Sequence, residues 1–317
     1  LNTAKHYHYI PATNVNNRRW EEIVALLARD TDSGRAPLFT VHVPVISPLT
    51  LSGDAADFLR FACRHDAPVF PTICPMAGST APYSLAGTLL LGHAENLFLA
   101  ALTQMQRPGN PFLYAFGPSV TDMRSAKDLY YTLDKALWKT ASAQLAHSWK
   151  LPVSSECGGT MTHRYDIQNG AEGILFMLAA VTSGAGVLAG FGSGYGAMGM
   201  SAEMMVIQEA WMKAARFLKS GIDTDDIHLG LENIQQAGPG GDFWTDSLTL
   251  LNLNGSEFFT HELFDLSPVE SESKSMLERA HDEVERRIAG FTSPVPQALQ
   301  EGLRRYFHDE CAQSESW

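Results

Sequence analysis

The sequence predicts an α/β fold, a TIM-type (β/α)8 barrel that lacks its N-terminal part and carries a C-terminal helical extension. Three observations lead there. Short apolar runs alternate with longer helical stretches over most of the chain, and six such strand–helix units can be counted. Helices between strands imply parallel pairing and right-handed crossovers. A doubly wound sheet is the alternative, but no G-x-G-x-x-G follows the early strands, which favours the barrel.

The six units follow one another in order. The predicted strands are Lys5–Ile10, Leu38–Ile46, Pro68–Cys74, Pro111–Phe116, Leu151–Cys157 and Gly186–Phe191. The predicted helices are Arg18–Arg29, Asp54–His65, Pro82–Gln106 with Thr80 as its cap, Ser125–Lys150, Gly170–Thr182 and Ser201–Lys219. A barrel needs eight units, and the chain begins at Leu1 rather than Met, so two N-terminal units are expected to be missing.

The pattern changes after Gly221. A helix is predicted over Asp223–Gln236, a sharp loop over Gly238–Gly241, and a charged helical tail with a start signal at Ser267-Pro268. We therefore divide the chain into a barrel portion, residues 1–221, and a helical extension, residues 222–317, packed on the same barrel.

Composition excludes several classes of protein. The 317 residues are 45% hydrophobic and 18% charged, which is typical of a globular chain rather than a disordered one. The net charge of −12 argues against nucleic acid as a partner. No membrane span, signal peptide, metal-binding spacing or C-x-x-C pair is recognised, so we expect a cytoplasmic protein with reduced thiols and no metal site, and leave self-association open.

Candidate site residues are sought where strands end, because barrel sites are built there. Glu156 ends the fifth strand and could pair with a cationic substrate or with Arg164. His42 lies within the second strand and faces either the barrel interior or a packed core. Phe191 and Tyr195 could face a quaternary ammonium, although Phe191 is the better candidate for plain core packing.

Small residues dominate the strand-end loops, and a polar loop follows the fifth strand. The small residues include Gly78, Ser79, Gly117, Gly158 and Gly159. Glycines there would let a large planar partner approach the backbone, but loops need glycine in any case. The polar loop contains Gln168 and is either part of a site or solvated surface.

Several short motifs, taken in order, resemble the trimethylamine methyltransferase family. They are PMAGSTAPYSLAGTLLL at 75–91, RPGNP at 107–111, QLA at 144–146, LP at 151–152, GG at 158–159, DIQNG at 166–170, SAEMMVI at 201–207, GPGG at 238–241 and EFF at 257–259. Each motif is weak alone, but their common order makes the resemblance specific.

The resemblance implies a β/α barrel methyltransferase. Such enzymes move a methyl group from a methylamine to the cob(I)alamin of a separate corrinoid protein and hold no tightly bound cofactor of their own. The family's pyrrolysine aligns within 192–194, most closely at Ser193, where no pyrrolysine is written. The chain thus resembles the pyrrolysine-free branch, which acts on quaternary amines such as glycine betaine.

The resemblance also suggests roles for the candidate residues. Ser193 would face the methyl group, with Glu156 as the second catalytic residue. The substrate-binding residues would be Tyr195, Phe191, His42 and Gln168. The corrinoid-facing residues would be Gly78, Ser79, Gly117, Gly158 and Gly159.

Two other functions remain open. A non-catalytic barrel could bind betaines or a corrinoid protein. A lyase or aldolase would need a Schiff-base lysine at a strand end, and no lysine lies on the five strands between Leu38 and Phe191.

Overall fold

The computed structural model describes residues 7–11, 15–29, 39–253, 255, 257–268, 273–293 and 295–314. Its strands are β1 Tyr7–Tyr9, β2 Phe39–Val45, β3 Val69–Ile73, β4 Met76–Ala77, β5 Ser119–Thr121, β6 Asp128–Leu129, β7 Ser154–Glu156, β8 Val187–Ala189, β9 Ser193–Gly194 and β10 Gly199–Met200. Its helices are α1 Val15–Arg29, α2 Gly53–Arg64, α3 Leu85–Gln106, α4 Asp134–Ser148, α5 Ile167–Thr182, α6 Ala202–Ser220, α7 Asp226–Leu229, α8 Leu231–Ala237, α9 Ser247–Asn252, α10 Met276–Ala289 and α11 Gln297–Ser314.

Six extended segments lie side by side, all parallel and in chain order. β1 pairs with β2, and β2 with β3, whose Val69 bridges Phe112 in the fourth segment. Tyr114 of that segment bridges Val153, and β7 then pairs with β8. The mixed α/β class is confirmed. No pairing closes β8 onto β1 among the described residues, so this part of the chain forms an open parallel sheet.

Two apolar clusters hold the helices. In the first, Phe58 and Phe61 of α2 and Leu99 of α3 pack with strand residues such as Val41 and Val69. The second joins α5, α6 and α10, with Met177, Ala210, Trp211, Ala280 and Val284 among its members. α11 covers α1 through Leu299, Leu303 and Ile23. The last two long helices therefore pack against helices of the first 221 residues.

The helix predicted over Ser125–Lys150 is wrong in its first part. Residues 119–129 form the antiparallel β5–β6 pair instead. Asp122 accepts the backbone N–H of Arg124, and Ala126 adopts a positive φ of 56°, which a continuous helix does not allow. α4 therefore begins only at Asp134, which leaves Tyr130 and Tyr131 in the turn before it.

Three other predicted boundaries are corrected by local hydrogen bonding. Ser84, not Thr80, caps α3, because the Thr80 hydroxyl accepts the N–H of Met76. The predicted helix over Asp223–Gln236 is divided by Gly230, whose φ is +57°. α10 begins after Ser275 in a capping box rather than at Ser267-Pro268. Lys5 and His6 of the first predicted strand lie outside the described residues.

α3 is the one described helix that is long and apolar enough to cross a membrane, contrary to the expectation that the sequence holds no such run. Only 28% of that apolar stretch is buried, and the buried side of α3 carries polar residues. Glu95 is fully buried and accepts hydrogen bonds from Ser47 Oγ at 2.8 Å and Leu49 N at 2.9 Å. Asn96 bonds both the N–H and the carbonyl of Ala115. These contacts fix α3 against the carboxyl ends of β2 and the fourth segment.

The space around two helical glycines, Gly92 in α3 and Gly170 in α5, predicts opposite effects on stability when each is changed to Ala. A Cβ at Gly92 would stand 2.1 Å from the ring of Phe116, whereas Gly170 in α5 has open space around it. We expect G92A to lower the free energy of unfolding by about 1–3 kcal/mol through overpacking. We expect G170A to raise it by roughly 0.5–1 kcal/mol through helix propensity. Denaturant unfolding of both variants checks this, and a stabilising G92A would contradict the packing.

Candidate active site

A cavity of about 210 Å³ lies at the carboxyl ends of the parallel segments. Five of the six segments contribute to it. Its lining includes His42 from β2, Phe70 from β3, Gly117 after the fourth segment, and Glu156 from β7. Tyr130 and Lys139 close it from the turn before α4 and from α4 itself. This is the edge of a parallel sheet at which α/β proteins bind ligands.

Glu156 is the centre of an ion cluster at this cavity. Its Oε2 lies 3.0 Å from Lys135 Nζ and 3.0 Å from Lys139 Nζ. Its Oε1 accepts the hydroxyl of Tyr130 at 2.7 Å. Lys139 also donates to the carbonyl oxygen of Phe116, and Lys135 Nζ stands 3.0 Å from the centre of the Tyr130 ring. Glu156 therefore pairs with two lysines and not with Arg164.

Burial and charge set the protonation of this cluster. The two lysines and the Tyr130 hydroxyl outweigh the burial of Glu156 and hold its pKa far below the usual range. Burial lowers the pKa of Lys135 to about 8, although Glu156 opposes that change. Burial and the Glu156 charge raise the pKa of Tyr130 well above 10. At neutral pH Glu156 is thus an anion and Tyr130 a neutral hydrogen-bond donor.

His42 lines the same cavity. Its ring stacks on Phe70 with centroids 4.3 Å apart, and its Nε2 lies 3.1 Å from Nδ1 of His8. Burial first, and the neighbouring His8 second, lower the pKa of His42 to about 4. The imidazole is therefore neutral at physiological pH.

Ser193 lies beside the cavity and is linked to it through Tyr131. The Tyr131 hydroxyl donates to Ser193 Oγ at 3.1 Å, and the Tyr131 ring packs edge-on against Tyr130 with centroids 4.9 Å apart. Ser193 begins the β9–β10 hairpin, and Gly192 before it donates its N–H to Gln208 Oε1 at 2.6 Å. Ser193 is thus connected to the ion cluster through Tyr131 and Tyr130.

The other predicted substrate residues lie apart from the cavity lining. Tyr195 is 56% exposed in the hairpin loop, where its ring meets His163 edge-on at 5.4 Å. Phe191 packs against the α5–α6–α10 cluster, as the simpler interpretation expected. Gln168 is exposed at the start of α5 and donates to Glu172 at 2.7 Å.

Internal packing explains why four of the predicted corrinoid-facing residues are glycines. A Cβ at Gly158 would lie 2.3 Å from the Gly190 carbonyl oxygen, and one at Gly159 would lie 2.1 Å from the Tyr131 ring. A Cβ at Gly78 would meet Met123 at 2.8 Å, and one at Gly117 would meet Cys74 at 3.0 Å. The protein's own side chains occupy the space beside these glycines, so the glycines do not form an open cradle for a flat ring.

Ser79 differs from the four glycines because it is exposed. Its Oγ accepts the Thr121 hydroxyl at 2.9 Å. It is therefore the one residue of that set with a side chain at the surface.

Sequence reasoning missed Lys135, Lys139, Tyr130 and Tyr131. It searched for lysines on strands, whereas these lysines reach the strand ends from α4. A signal was present, because Lys135 and Lys139 are one helical turn apart and share a face with Trp138, Ala143 and Ala146. Two lysines on an apolar helix face indicate a buried charge pair. The pairing of both lysines with Glu156 disfavours Schiff-base chemistry.

A surface group of possible cation ligands is explained by helix capping. Asp223, Asp225 and His228 bring ligand atoms within 4.8 Å of one another. Asp225 caps α7 by accepting the backbone N–H of His228, and His228 Nδ1 lies 2.7 Å from the same carboxylate. All three are exposed, so we assign them no role at the candidate site.

Comparison with known families decides the relationship that the motifs suggested. Residues 2–313 match the trimethylamine methyltransferase family. The chain belongs to that family. Its ion cluster, its cavity and Ser193 all lie within the matched range.

Curated members of the trimethylamine methyltransferase family match most of the chain. It is 27% identical to the proline betaine:corrinoid methyltransferase of Eubacterium limosum, over 92% of this chain and 61% of that protein. It is 34% identical to the glycine betaine methyltransferase of Desulfitobacterium hafniense, over 69% and 47%. It is 28% identical to the trimethylamine methyltransferase MttB1 of Methanosarcina acetivorans, over 89% and 58%. The chain thus spans about half to three fifths of these relatives' lengths.

Among solved structures, a dihydropteroate synthase from Coxiella burnetii in complex with pteroic acid is similar, with a TM-score of 0.40 and 13% identity. The match covers 69% of this chain and 81% of that one.

The ion cluster predicts a large stability effect for Glu156→Gln. The change would leave Lys135 and Lys139 beside each other without a carboxylate, and breaking a buried pair from one side costs roughly 3–5 kcal/mol. Urea unfolding measures the loss. Glu203→Gln is the control, because the Glu203 pair with His281 lies at the surface, where solvent screens it and its loss has little effect. Equal effects of the two changes would contradict the cluster.

His42 predicts part of the pH dependence of stability. Its folded pKa of about 4 lies below the ordinary 6.5, so between these values the unfolded chain binds a proton that the folded protein does not. The contribution of His42 to the free energy of unfolding is therefore fully present above about pH 6.5. It is lost as pH falls from about 6.5 to about 4. His42→Gln should flatten the fall of unfolding free energy across that window, measured by denaturant titration. The same change at exposed His147 is the control, and a H42Q profile parallel to the wild type would refute the assignment.

Proposed function

We propose that this protein is a methyltransferase that moves a methyl group from a quaternary or tertiary methylamine, such as a betaine, to the cob(I)alamin of a corrinoid protein. Membership of the trimethylamine methyltransferase family carries the proposal. Relatives named for proline betaine, glycine betaine and trimethylamine support this substrate class. The corrinoid belongs to the partner protein, and this chain binds none tightly.

The chemistry of the cavity agrees with this reaction. The corrinoid supplies a reduced cobalt nucleophile that accepts the methyl group. A quaternary amine leaves as a neutral tertiary amine and needs no proton, so the chain must orient the N–CH₃ bond and exclude water. Glu156 and Tyr130 have pKa values driven far from neutrality, and His42 is neutral. Tyr130 and His42 thus hold and orient a ligand rather than exchange protons with it, and Glu156 holds the two lysines in place.

We propose the following roles for the site residues. Ser193, held by Tyr131, borders the cavity and faces the methyl group in this proposal. Tyr195, Phe191 and Gln168 form the outer part of the substrate site, and His42 its inner wall. Glu156 organises Lys135 and Lys139 rather than contacting the substrate cation, because its charge is already paired. The corrinoid protein approaches the rim at Ser79, with Gly78, Gly117, Gly158 and Gly159 beneath it.

We extend the proposal to architecture and location. The six parallel segments form part of an eight-unit barrel, with residues 1–221 as its barrel portion and residues 222–317 as a helical extension. The buried polar side chains of α3 support a protein that works in the cytoplasm rather than within a membrane.

Methyl transfer tests the proposal directly. The protein made from its complete coding sequence is mixed anaerobically with cob(I)alamin and glycine betaine, proline betaine, carnitine, choline or trimethylamine. We expect at least one amine to give methylcobalamin, followed by its absorbance. No transfer from any of them, also with an added corrinoid protein, would refute the methyltransferase and favour a non-catalytic betaine-binding barrel.

A variant of exposed Tyr195 tests its place in the substrate site. With the active amine, Tyr195→Ala should reduce kcat/KM by about tenfold, since aromatic–cation contacts are worth up to about 2 kcal/mol. Phe307→Ala, at an exposed aromatic on α11, should leave kcat/KM unchanged.

A further inference from the structure

The cavity carries an uncompensated positive charge. Glu156 contributes one negative charge, whereas Lys135 and Lys139 contribute two positive charges. The other titratable groups at this place are neutral at pH 7, because burial raises the pKa values of Tyr130 and Cys74 and lowers that of His42. The described side chains therefore leave a net charge of about +1, which is costly in a buried place without an anion.

Lys139 also has a hydrogen-bond donor to spare. An ammonium group has three N–H donors. Among the described residues, Lys139 Nζ contacts the Phe116 carbonyl oxygen and Glu156 Oε2, which uses two of them. Its side chain is 4% exposed and lines the cavity. The remaining donor thus belongs to the lysine of the cluster that lines the cavity.

The rest of the cavity suits a small ligand with an apolar end. Its volume of about 210 Å³ equals that of about seven liquid water molecules. Phe70, Ile73 and Phe116 form an apolar part of its wall, whereas Lys139 contributes a charged ammonium group. A carboxylate at Lys139 would place a bulky methylated head on this apolar wall.

We propose that Lys139, backed by Lys135, binds the carboxylate of the methyl donor, so that the protein selects betaines over amines that lack a carboxylate. This inference rests on the proposed function, since it names the donor class for the same site. A charge-assisted hydrogen bond between the ammonium and the carboxylate carries the selection. Trimethylamine and choline have no carboxylate, so they lack the contact with Lys139 that would offset placing their positive charge in this cavity.

Two probes separate the two ends of a betaine. 3,3-Dimethylbutanoate has the shape of glycine betaine with carbon in place of nitrogen, so it keeps the carboxylate and loses the positive charge. Choline keeps the trimethylammonium and loses the carboxylate. By calorimetry on the wild-type protein, we expect dimethylbutanoate to bind at least about tenfold more tightly than choline. Equal or tighter binding of choline would overturn the proposal.

Lysine variants locate the contact. Lys139→Met leaves Glu156 and Lys135 as a neutral pair, and should weaken dimethylbutanoate by about tenfold or more without weakening choline. Lys213→Met, at a half-exposed lysine paired with Glu209, is the matched control and should bind both probes like the wild type. Unchanged dimethylbutanoate affinity in a folded Lys139→Met protein would refute the contact. If K139M does not fold, Lys139→Gln and the wild-type probe comparison still decide the matter.

Methyl transfer distinguishes this inference from the function on which it rests. Dimethylbutanoate has no transferable N-methyl group, so its binding is measured without turnover. Selective binding of dimethylbutanoate without methyl transfer from any betaine would support the carboxylate site and refute the methyltransferase. Transfer from choline or trimethylamine as fast as from glycine betaine would support the methyltransferase and overturn the carboxylate site.

Discussion

The pairing of one carboxylate with two buried lysines is the interaction on which this site depends. Glu156 ends β7, whereas Lys135 and Lys139 come from α4, so the cluster joins a helix to the carboxyl edge of the sheet. Lys139 also reaches the Phe116 carbonyl oxygen, which ties the fourth segment to the same point. These contacts hold α4, the end of β7 and the backbone at Phe116 against one another.

Two adjacent tyrosines, Tyr130 and Tyr131, connect the ion cluster to the rest of the site. Tyr130 bonds Glu156 and lies under Lys135, so it belongs to the cluster. Tyr131 packs on Gly159 and donates to Ser193, so it joins the cluster to the β9–β10 hairpin. The turn before α4 thereby positions both Tyr130 in the cavity wall and Ser193 in the hairpin.

The sequence predicts most elements well where the signal is local. The strand expected over Leu38–Ile46 forms as Phe39–Val45, and the helix expected over Ser201–Lys219 forms as Ala202–Ser220. Alternation and helical spacing decide such segments without reference to the rest of the chain. The turn before α4 is missed because a positive φ at Ala126 and one Asp122 hydrogen bond interrupt a stretch with good helix propensity.

The candidate site is only partly predictable, because its decisive contacts are long-range. Glu156 is found from its position at a strand end, and His42 from its position within a strand. Their partners are not, since Lys135 precedes Glu156 by a whole helix–strand connection, and His8 reaches His42 across neighbouring strands. The glycines, by contrast, suggest a binding surface that the structure does not form. Gly158 and Gly159 suggest an open surface for a flat ring, but their neighbours are Gly190 and Tyr131 of the same chain.

A crystal structure of the protein with glycine betaine tests the central claim, that the cavity is an anion site built on Lys139. The account predicts the betaine carboxylate within hydrogen-bond distance of Lys139 Nζ, with the trimethylammonium group against Phe70 and Phe116. A betaine bound the other way round, with its ammonium beside Glu156 and its carboxylate away from both lysines, would contradict it.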